Sequence, residues 1–366
     1  MARLGDVCTV VSGATPKTNC PEYWDGDIKW ITPAELRDNS NIIIDTERKI
    51  TQKAVDSCGV ILFPEGTVLL SSRAPIGKVA IAGVEMCCNQ GFKNLICSNA
   101  VYNRYLYWFL KGKNAYLNSL GRGATFKEIS KSIVENIEIP LPGINVQHYI
   151  ADIFDKVSNL ISLRSNQLEQ LDDLVKARFV EMFGDMLLNH MEWTETTLET
   201  MADIVSGITK GRKVKERNLI EVPYMAVSNV KDGHIDWTTV KTIMATKQEI
   251  DQYRLFPDDV LMTEGGDPDK VGRGAIIRKP PENCIHQNHI FRVRLNAELF
   301  IPTFFAEYLQ HQKAKRYFLG CAKQTTGIAS INMRQLRALP VLVPPLELQN
   351  QFAAFVAQTD KSKVQN

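Results

Sequence analysis

The sequence of 366 residues predicts an α+β protein. We expect two similar domains of mixed strands and helices, separated by long coiled-coil helices that form an antiparallel pair with a short second member. Three observations support this fold class. Residues 144–183 contain neither Pro nor Gly and repeat apolar side chains at helical spacing. The segments before and after this run carry the same motifs in the same order. The chain then closes with a second, shorter apolar-periodic segment, so a unit of domain plus helix is used twice.

The first domain is predicted over residues 1–142 and the second over 188–345, because their motifs align. In both, short β-rich runs precede amphipathic helices, a glycine-bearing polar stretch, a strand and a proline-containing exit. After each exit a helix opens with Gln. The matched segments are VSGATPKT (11–18) and VSGITKGR (205–212), ILFPEGTVLLSSRAPIGKVAIAG (61–83) and YRLFPDDVLMTEGGDPDKVGRGAII (253–277), NQGFKNLI (89–96) and HQNHIFRV (286–293), and QHYIADIF (147–154) and QNQFAAFV (349–356).

A long spacer helix is predicted over residues 143–187, since Pro142–Gly143 and Gly184 punctuate its ends. Counting by seven from Phe154 and from Val157 gives an apolar seam, broken at Arg164 and Arg178, of the kind that packs against a partner helix. At about 1.5 Å per residue the helix would be roughly 60 Å long and would need tertiary support. An ordinary core helix at a domain edge is the alternative interpretation. The residues of the seam are Phe154, Val157, Ile161, Leu168, Leu171, Val175 and Met182.

A second spacer helix is predicted over residues 346–366, where apolar periodicity begins again after a Pro pair. It would cover roughly half the length of the first spacer helix. The shortfall predicts that part of the first seam lacks a partner within the chain, namely Leu168, Leu171, Val175 and Met182. Two explanations stay open: the chain is truncated, or another chain supplies the missing helix.

Composition predicts a soluble protein of the cytoplasm. Hydrophobic residues make up 44% and charged residues 23%, which is ordinary for globular proteins. No apolar run approaches the ~20 residues of a membrane span, and the first residues lack the apolar core of a signal peptide. The eight cysteines show no paired C-x-x-C spacing, so we expect free thiols in a reducing compartment. With a net charge of +2, nucleic-acid binding would depend on local basic patches.

The most specific motifs are TPKTNCPEYWDGDIKWITPAEL (15–36), LLSSRAPIGKVAI (69–81) and NQGFKNLI (89–96), with looser versions in the second half. In order and spacing the chain resembles the specificity subunit of Type I restriction–modification enzymes. The resemblance implies a DNA-binding protein without catalysis of its own, which recognises a bipartite target of double-stranded DNA with one half-site per domain.

The same resemblance implies the partners. These are two modification (methyltransferase) subunits, docked through the helical spacer, and two restriction subunits, in a restriction system that defends against foreign DNA. It implies no cofactor and no metal on this chain, because S-adenosylmethionine, ATP and Mg would be bound by the partner subunits.

Candidate DNA contacts are predicted in the loops between the short strands, where Lys, Arg and hydroxyl groups suit phosphates and Arg, Lys, Asn, Gln and His suit base edges. Each residue alone is more typical of a solvated surface or a turn than of a base contact, so the argument rests on clusters, above all the basic segment KGRKVKER (210–217). In the first domain the candidates are Thr15, Lys17, Thr18, Ser71, Ser72, Arg73, Lys78, Asn89, Gln90, Lys93, Arg122 and Thr125. In the second domain they are Thr209, Lys210, Arg212, Lys213, Lys215, Arg217, Lys270, Arg273, His286, Gln287, His289, Lys323, Gln324, Thr325 and Thr326.

Two local patterns suggest other chemistry, but weakly. Cys284, His286 and His289 have a spacing that suits a metal ion, yet no fourth ligand lies nearby in the sequence. The segment IGK (76–78) looks like part of a phosphate-binding loop, but it lacks the glycine that a Walker motif has five residues earlier. We therefore predict neither a metal site nor a nucleotide site.

A third pattern is a set of acids in a Gly-Pro turn, Glu264, Asp267 and Asp269, which could suggest a nuclease. The matching turn of the first domain contains no acids, so a catalytic role is disfavoured. Two other functions stay open at this point. The chain could be a DNA-recognition protein of a different modification system, or an enzyme with its own nuclease or methyltransferase activity.

Overall fold

The structure is a computed structural model, and its chain divides into two compact units, Met1–Arg164 and Ser165–Asn366. All eight cysteines are free thiols. In the part of the chain that the structure describes, no helix is long and apolar enough to cross a membrane. The described residues are 1–37, 41–73, 75–123, 127–213, 218–267, 271–325 and 327–365.

The first unit consists of short strands, short helices and the first half of a long helix. Its strands are β1 (Ala2–Arg3), β2 (Cys8–Ser12), β3 (Trp24–Ile31), β4 (Ile42–Ile43), β5 (Arg48–Ile50), β6 (Val68–Leu70), β7 (Val79–Ala82), β8 (Cys87–Cys88), β9 (Lys93–Cys97) and β10 (Glu138–Ile139). Its helices are α1 (Leu4–Val7), α2 (Gln52–Cys58), α3 (Asn103–Lys111), α4 (Asn114–Leu120), α5 (Lys131–Glu135) and the start of α6 (Ile144–Phe183).

The core of the first unit lies between its main sheet and helix α3. This sheet has the strand order β2, β9, β6, β7, β4, and a second sheet has the order β5, β3, β8. Strands β6 and β7 are apolar and buried along their whole length, as is usual for strands that are covered on both faces. Helix α3 turns Leu106 and Leu110 into the same core as Val68 and Leu95. The polar loops at the strand ends remain at the surface.

The second unit repeats most of these elements in the same order. Its strands are β11 (Thr194–Thr197), β12 (Ala202–Ser206), β13 (Ile220–Met225), β14 (Lys241–Ala245), β15 (Val260–Thr263), β16 (Gly265–Gly266), β17 (Gly274–Ile276), β18 (Ile285–His286), β19 (Ile290–Leu295), β20 (Lys323–Thr325), β21 (Ile328–Ser330) and β22 (Pro340–Val343). Its helices are the end of α6, α7 (Lys247–Tyr253), α8 (Pro302–Gln310), α9 (Gln312–Cys321), α10 (Met333–Arg337) and α11 (Leu346–Gln365).

Two sheets of the first unit have counterparts in the second, and among the described residues the differences are β4 of the first unit and the additional sheet β16, β21, β20 of the second. The order β12, β19, β15, β17 repeats β2, β9, β6, β7, and the order β14, β13, β18 repeats β5, β3, β8. In each small sheet the central strand has one antiparallel and one parallel neighbour. The α+β fold with two similar domains, predicted from the sequence repeat, is therefore confirmed.

Two buried glutamines show the repeat at the level of single atoms. The Gln147 amide accepts from Tyr102 N at 2.9 Å and donates to Ala100 O and Pro142 O at 3.0 and 2.8 Å. In the second unit, Gln349 accepts from the backbone N–H of Ile301 at 2.8 Å, and its NH₂ group donates to two backbone carbonyls. Each glutamine ties the first turn of a spacer helix to its own unit, which explains why each helix opens with Gln in the sequence.

Helix α6 runs for 40 residues, slightly less than the predicted 143–187. It ends at Phe183 because Gly184 adopts a φ of +74°, the left-handed conformation that commonly closes helices. The second spacer helix, α11, spans Leu346–Gln365 and is half as long, at 20 residues. Within the second unit, Phe352 of α11 packs on Phe179 and Phe183, and Lys363 pairs with Asp172 at 2.8 Å. Residue numbers rise along α11 as they fall along α6, so the pair is antiparallel as predicted.

The seam predicted by counting from Phe154 is partly wrong. Met182 packs against the core of the second unit, and Val175 is only 7% exposed, so neither residue lacks a partner. Leu168 and Leu171 are half-buried. Two residues outside the heptad count, Phe179 and Phe183, are the most deeply buried of this stretch. The reason is that this half of α6 packs against a globular core as well as against α11. Packing against a globular core follows the 3.6-residue period of a straight helix and not the 3.5-residue period of a coiled coil.

The first half of α6 has the opposite character. Phe154 stacks on Trp108 with ring centroids 5.5 Å apart, and Asp155 pairs with Arg104 at 2.5 Å, which ties this half to the first unit. Beyond them, Val157 is 46% exposed and Ile161 is 64% exposed. The apolar side chains without a covering helix thus lie earlier in α6 than the sequence count predicts.

Candidate nucleic-acid interface

In the first unit, four loops that carry predicted contact residues meet at the strand ends. The loop after β2 joins the turn between β8 and β9, since Ala14 N donates to Cys88 O at 3.0 Å. The loop after β6 joins the same turn through Ser72 N and Gly91 O at 2.7 Å. The loop after α4 is held by Ile129 N, which donates to Ser72 O at 3.0 Å. The four loops therefore form one continuous surface.

The close approach of the loop after β2 to the turn between β8 and β9 requires glycine. A Cβ atom on Gly13 would lie 2.1 Å from the carbonyl oxygen of Asn89, far inside van der Waals contact. In the second unit, a Cβ atom on Gly207 would lie 2.0 Å from the carbonyl oxygen of His286. The VSG motif that begins both matched segments is thus explained by the same close backbone contact.

Several candidates of the first unit are accessible on this surface. Thr15 donates a hydrogen bond from its hydroxyl to the amide oxygen of Gln90 across the two loops. Asn89 uses its amide oxygen to accept from Gly91 N at 2.8 Å and is half-buried. The exposed side chains that carry hydrogen-bonding or cationic groups are Thr15, Lys17, Thr18, Gln90 and Arg122. These are the residue types that contact phosphates and base edges.

Other candidates of the first unit lie beneath the surface, so a direct DNA contact is not supported for them. Ser71 and Ser72 are fully buried, and Ser71 Oγ donates to Pro75 O at 2.7 Å. Lys93 is buried, with its ammonium 3.1 Å from the carboxylate of Glu128. Lys78 is half-buried and donates to Leu36 O. These side chains shape and support the loops, because a buried cation is stable only when it is paired.

Glu128 is a functional neighbour that sequence reasoning missed. Besides Lys93, its carboxylate lies 3.9 Å from the guanidinium of half-buried Arg73, and its backbone pairs with that of Arg122. Basic and amide side chains are the types predicted to contact DNA, whereas this acid acts by neutralising and orienting them. The one sequence signal was its place inside a glycine-bearing polar stretch.

In the second unit the loop after β12 presents Thr209, Lys210 and Lys213 as exposed side chains. Arg212 is half-buried and makes a bidentate ion pair with Glu249 at 2.5 and 2.6 Å. Its hydrogen bonds lower the pKa of the Glu249 carboxyl below its usual range. Arg212 therefore anchors the loop to helix α7, which contradicts the expectation of a free phosphate contact.

His286 is also misplaced by sequence reasoning, since the structure buries it completely at the end of β18. Its ring nitrogens face the carbonyl oxygens of Tyr253 and Val205 at 3.1 and 3.3 Å. Burial lowers the pKa of this imidazole to about 4, and outweighs both carbonyl contacts, which act in the other direction. His286 is thus a neutral core residue beneath the loop, and a direct DNA contact is not supported for it.

The turn after β18 supplies accessible groups instead. Gln287 is half-buried, and its amide oxygen accepts from Val227 N at 3.4 Å. His289 is exposed and lies 2.5 Å from the carboxylate of Glu264. Arg273 is half-buried, and Lys323 is exposed. This turn and the β12 loop are connected, because Ile208 N donates to His286 O at 2.9 Å.

The remaining candidates cannot be placed. Thr125, Lys215, Arg217, Lys270 and Thr326 lie outside the described residues, as do the side chains of Gln324 and Thr325. Asp269 of the acidic turn is outside them too. Among the residues that are described, no group of three or more His, Cys, Asp or Glu side chains could hold a metal ion. Burial raises the pKa of the Cys284 thiol to about 12, which disfavours the thiolate that a metal would need.

The paired loop surfaces occur in a chain with clear relatives. A family model described as the Type I restriction modification DNA specificity domain matches residues 1–173 and 190–366. This chain belongs to that family. The family resemblance predicted from the sequence is therefore confirmed, and the two matches coincide with the two repeats of the fold.

Individual relatives of the specificity family agree with this assignment. The Type I restriction enzyme MjaIX specificity subunit of Methanocaldococcus jannaschii is 41% identical over 216 residues, which are 58% of this chain and 49% of the relative. The EcoKI specificity subunit of Escherichia coli is 21% identical over 319 residues, which are 81% of this chain and 68% of the relative. The matched segment thus spans about half the length of the MjaIX subunit.

Solved structures of specificity subunits share the fold. The crystal structure of the S subunit of a Type I restriction–modification system from M. genitalium has a TM-score of 0.58 at 17% identity, covering 99% of this chain and 89% of that one. A chain from a study of assembly and conformational transition of the type I R-M system has a TM-score of 0.57 at 18% identity, covering 99% and 90%. At these identities the likeness supports the architecture alone.

Proposed function

We propose that this chain is the DNA sequence-recognition subunit of a Type I restriction–modification complex. Each unit would recognise one half-site of a bipartite target through its loop surface. The observation that carries the proposal is the duplication of that surface. The chain belongs to the DNA specificity family, and its two units share the strand orders of two sheets. In each unit, exposed Lys, Thr, Gln or His side chains lie at corresponding strand ends.

The chemistry of the loops supports DNA as the ligand. Lys17 and Arg122 in the first unit, and Lys210 and Lys213 in the second, are exposed cations suited to phosphates. Gln90 and His289 offer the amide and imidazole groups that distinguish base edges. Paired or buried cations hold the loops in place, so the accessible groups are presented on a fixed backbone.

Catalysis is assigned to partner subunits. We propose that two modification (methyltransferase) subunits dock on the spacer helices, and that two restriction subunits complete a complex located in the cytoplasm. The support is the apolar surface on the first half of α6, where Val157, Leu160 and Ile161 are solvent-exposed. Exposed apolar side chains in a row commonly mark a protein interface. S-adenosylmethionine, ATP and Mg would be bound by the partners.

Exchange of one unit tests the bipartite assignment. In a chain whose residues 1–142 come from another specificity subunit, we expect half of the methylated target to change and the other half to stay. The measurement is genome-wide methylation mapping in cells that also contain the modification subunits.

The reciprocal exchange of residues 188–345 is the matched control, and it should change the other half-site. A chimaera that assembles but alters both half-sites, or neither, would contradict the assignment of one half-site per unit.

A further inference from the structure

Two tryptophans hold the β2 loop of the first unit from beneath. The indole N–H of Trp30 donates to Ala14 O at 3.0 Å, and that of Trp24 donates to Lys17 O at 3.1 Å. Both tryptophans are almost completely buried, whereas Thr15 and Lys17 are exposed. The loop segment that faces solvent is therefore fixed at two carbonyl groups, one on each side of its central residues.

The donors themselves are rigid. The two rings meet edge to face with centroids 5.1 Å apart, and the Arg48 guanidinium lies 3.5 Å from the Trp24 ring centroid. Arg48 is itself exposed, so this cation–π contact is of the weaker kind, and the burial of the two rings contributes most of the rigidity. Between the two held carbonyls, Pro16 has a restricted φ and limits the conformations of Thr15 as well. The loop backbone has little freedom before any ligand arrives.

The second unit makes a corresponding contact with a different side chain. Tyr224 occupies the place of Trp30, because Tyr224 pairs with Lys241 and Ile285 just as Trp30 pairs with Arg48 and Cys87. Its hydroxyl lies 3.5 Å from Ile208 O, on the residue that follows Gly207. Ala14 likewise follows Gly13. The same backbone position is thus contacted by a buried aromatic donor in both units.

We propose that Trp24 and Trp30 in the first unit, and Tyr224 in the second, are positioning residues that set the sequence discrimination of their own half-sites. They do not touch DNA. They fix the loop carbonyls, and with them the directions in which Thr15 and Lys17, or Thr209 and Lys210, approach the groove. This inference rests on the proposed function and assigns the loop geometry to specific buried donors.

The test uses the chain assembled with its modification subunits. Affinity is measured for a duplex with the mapped target, for duplexes with one base changed in either half-site, and for a duplex without the target. Trp30→Phe keeps an aromatic ring but removes the donor. Trp193→Phe is the matched control, since its indole donates to Phe183 O at 2.9 Å, at the last residue of α6 and not to a loop carbonyl.

For Trp30→Phe we expect discrimination at one half-site to fall about five- to tenfold, the size of one lost hydrogen bond. Binding to DNA without the target should stay within about twofold, because the phosphate contacts are kept. Tyr224→Phe should lower discrimination at the other half-site by about two- to threefold, since a separation of 3.5 Å is a long hydrogen bond. Neither loss should appear in Trp193→Phe.

The inference is overturned if Trp30→Phe changes nothing, acts on both half-sites alike, or matches Trp193→Phe. If Trp30→Phe does not assemble, Tyr224→Phe decides, because it removes a single oxygen atom and leaves the ring in place. Unchanged discrimination in Tyr224→Phe would then overturn the inference. A wild-type complex without any preference among DNA sequences would contradict the proposed function itself.

Discussion

Pairing of charges separates the cations that hold the loops of each unit from those whose side chains are exposed. Lys93 is buried against Glu128, and Arg212 forms a bidentate pair with Glu249. Removing such side chains from water is tolerated because each has an opposite charge within hydrogen-bonding distance. Lys17 and Lys210 have exposed side chains on the same loop surfaces. The paired residues therefore give the loops their shape, and the exposed ones supply the charge.

The buried imidazole of His286 predicts a pH dependence of stability. Its pKa is about 4 in the folded chain, against an ordinary value of 6.5. Between these values the unfolded chain binds a proton that the folded chain does not, so the free energy of unfolding falls as the pH falls. The full loss is about 3 kcal/mol and is complete near pH 4. Denaturant unfolding of the second unit from pH 7.5 to pH 4 measures it.

His286→Gln provides the comparison. Glutamine does not titrate, so this variant should lose less stability between pH 6.5 and pH 4 than the wild type. Parallel pH profiles for the two proteins would show that another group is responsible for the loss.

At the scale of elements, helix α6 has two halves with different environments. The second half buries Phe179 and Phe183 against Phe304 of α8 and Phe352 of α11. The first half is tied to its unit near its start but leaves Leu160 and Ile161 about two-thirds exposed. One half of the helix therefore stabilises the fold, and the other half is available for partners.

Substitutions on the two halves should have different effects. Phe179→Ala removes a buried ring and is expected to lower the free energy of unfolding by about 3–5 kcal/mol. Ile161→Ser changes an exposed position and should stay within about 0.5 kcal/mol. Denaturant unfolding of the chain compares the two variants.

Ile161→Ser should instead weaken assembly with the modification subunits, which co-purification at matched expression measures. Normal assembly of Ile161→Ser, together with the double variant Leu160→Ser/Ile161→Ser, would show that the partners dock elsewhere.

For the whole molecule, 43 basic and 41 acidic residues leave a net charge of only +2. Long-range attraction to DNA is therefore weak, and the electrostatic part of binding has to come from the loop surfaces. The number of phosphates neutralised determines how steeply the affinity falls with salt.

This balance predicts a local origin of the salt dependence. Lys17→Gln and Lys210→Gln should each lower the slope of log K against log[salt] by about 1, and the double variant by about 2. Lys361→Gln, on helix α11, is the charge-matched control and should leave the slope unchanged. Titration of the assembled complex with target DNA at several salt concentrations measures the wild type and all four variants. Equal slopes for Lys17→Gln and Lys361→Gln would contradict the loop assignment.

Repetition made the architecture predictable from sequence. The matched motifs revealed the duplicated topology, and the opening glutamines of both spacer helices, Gln147 and Gln349, make the same set of hydrogen bonds. The burial of Lys93 and His286 was not predictable, because it depends on Glu128 and on carbonyls distant in sequence. The true packing face of α6 was missed for the same reason, since Phe179 meets partners from α8 and α11.

The tight backbone contact at Gly13 bears on how new specificities could be engineered. A transplanted loop has to retain glycine at its first position, where the neighbouring strand leaves no room for a side chain. It also has to carry its own aromatic donors, because Trp24 and Trp30 lie in strand β3, which directly follows the loop in the chain. Residues 13–30 therefore form one segment for exchange, with Gly13 at one end and the donor Trp30 at the other. Grafts cut at these borders would transfer the loop together with the scaffold that gives it its shape.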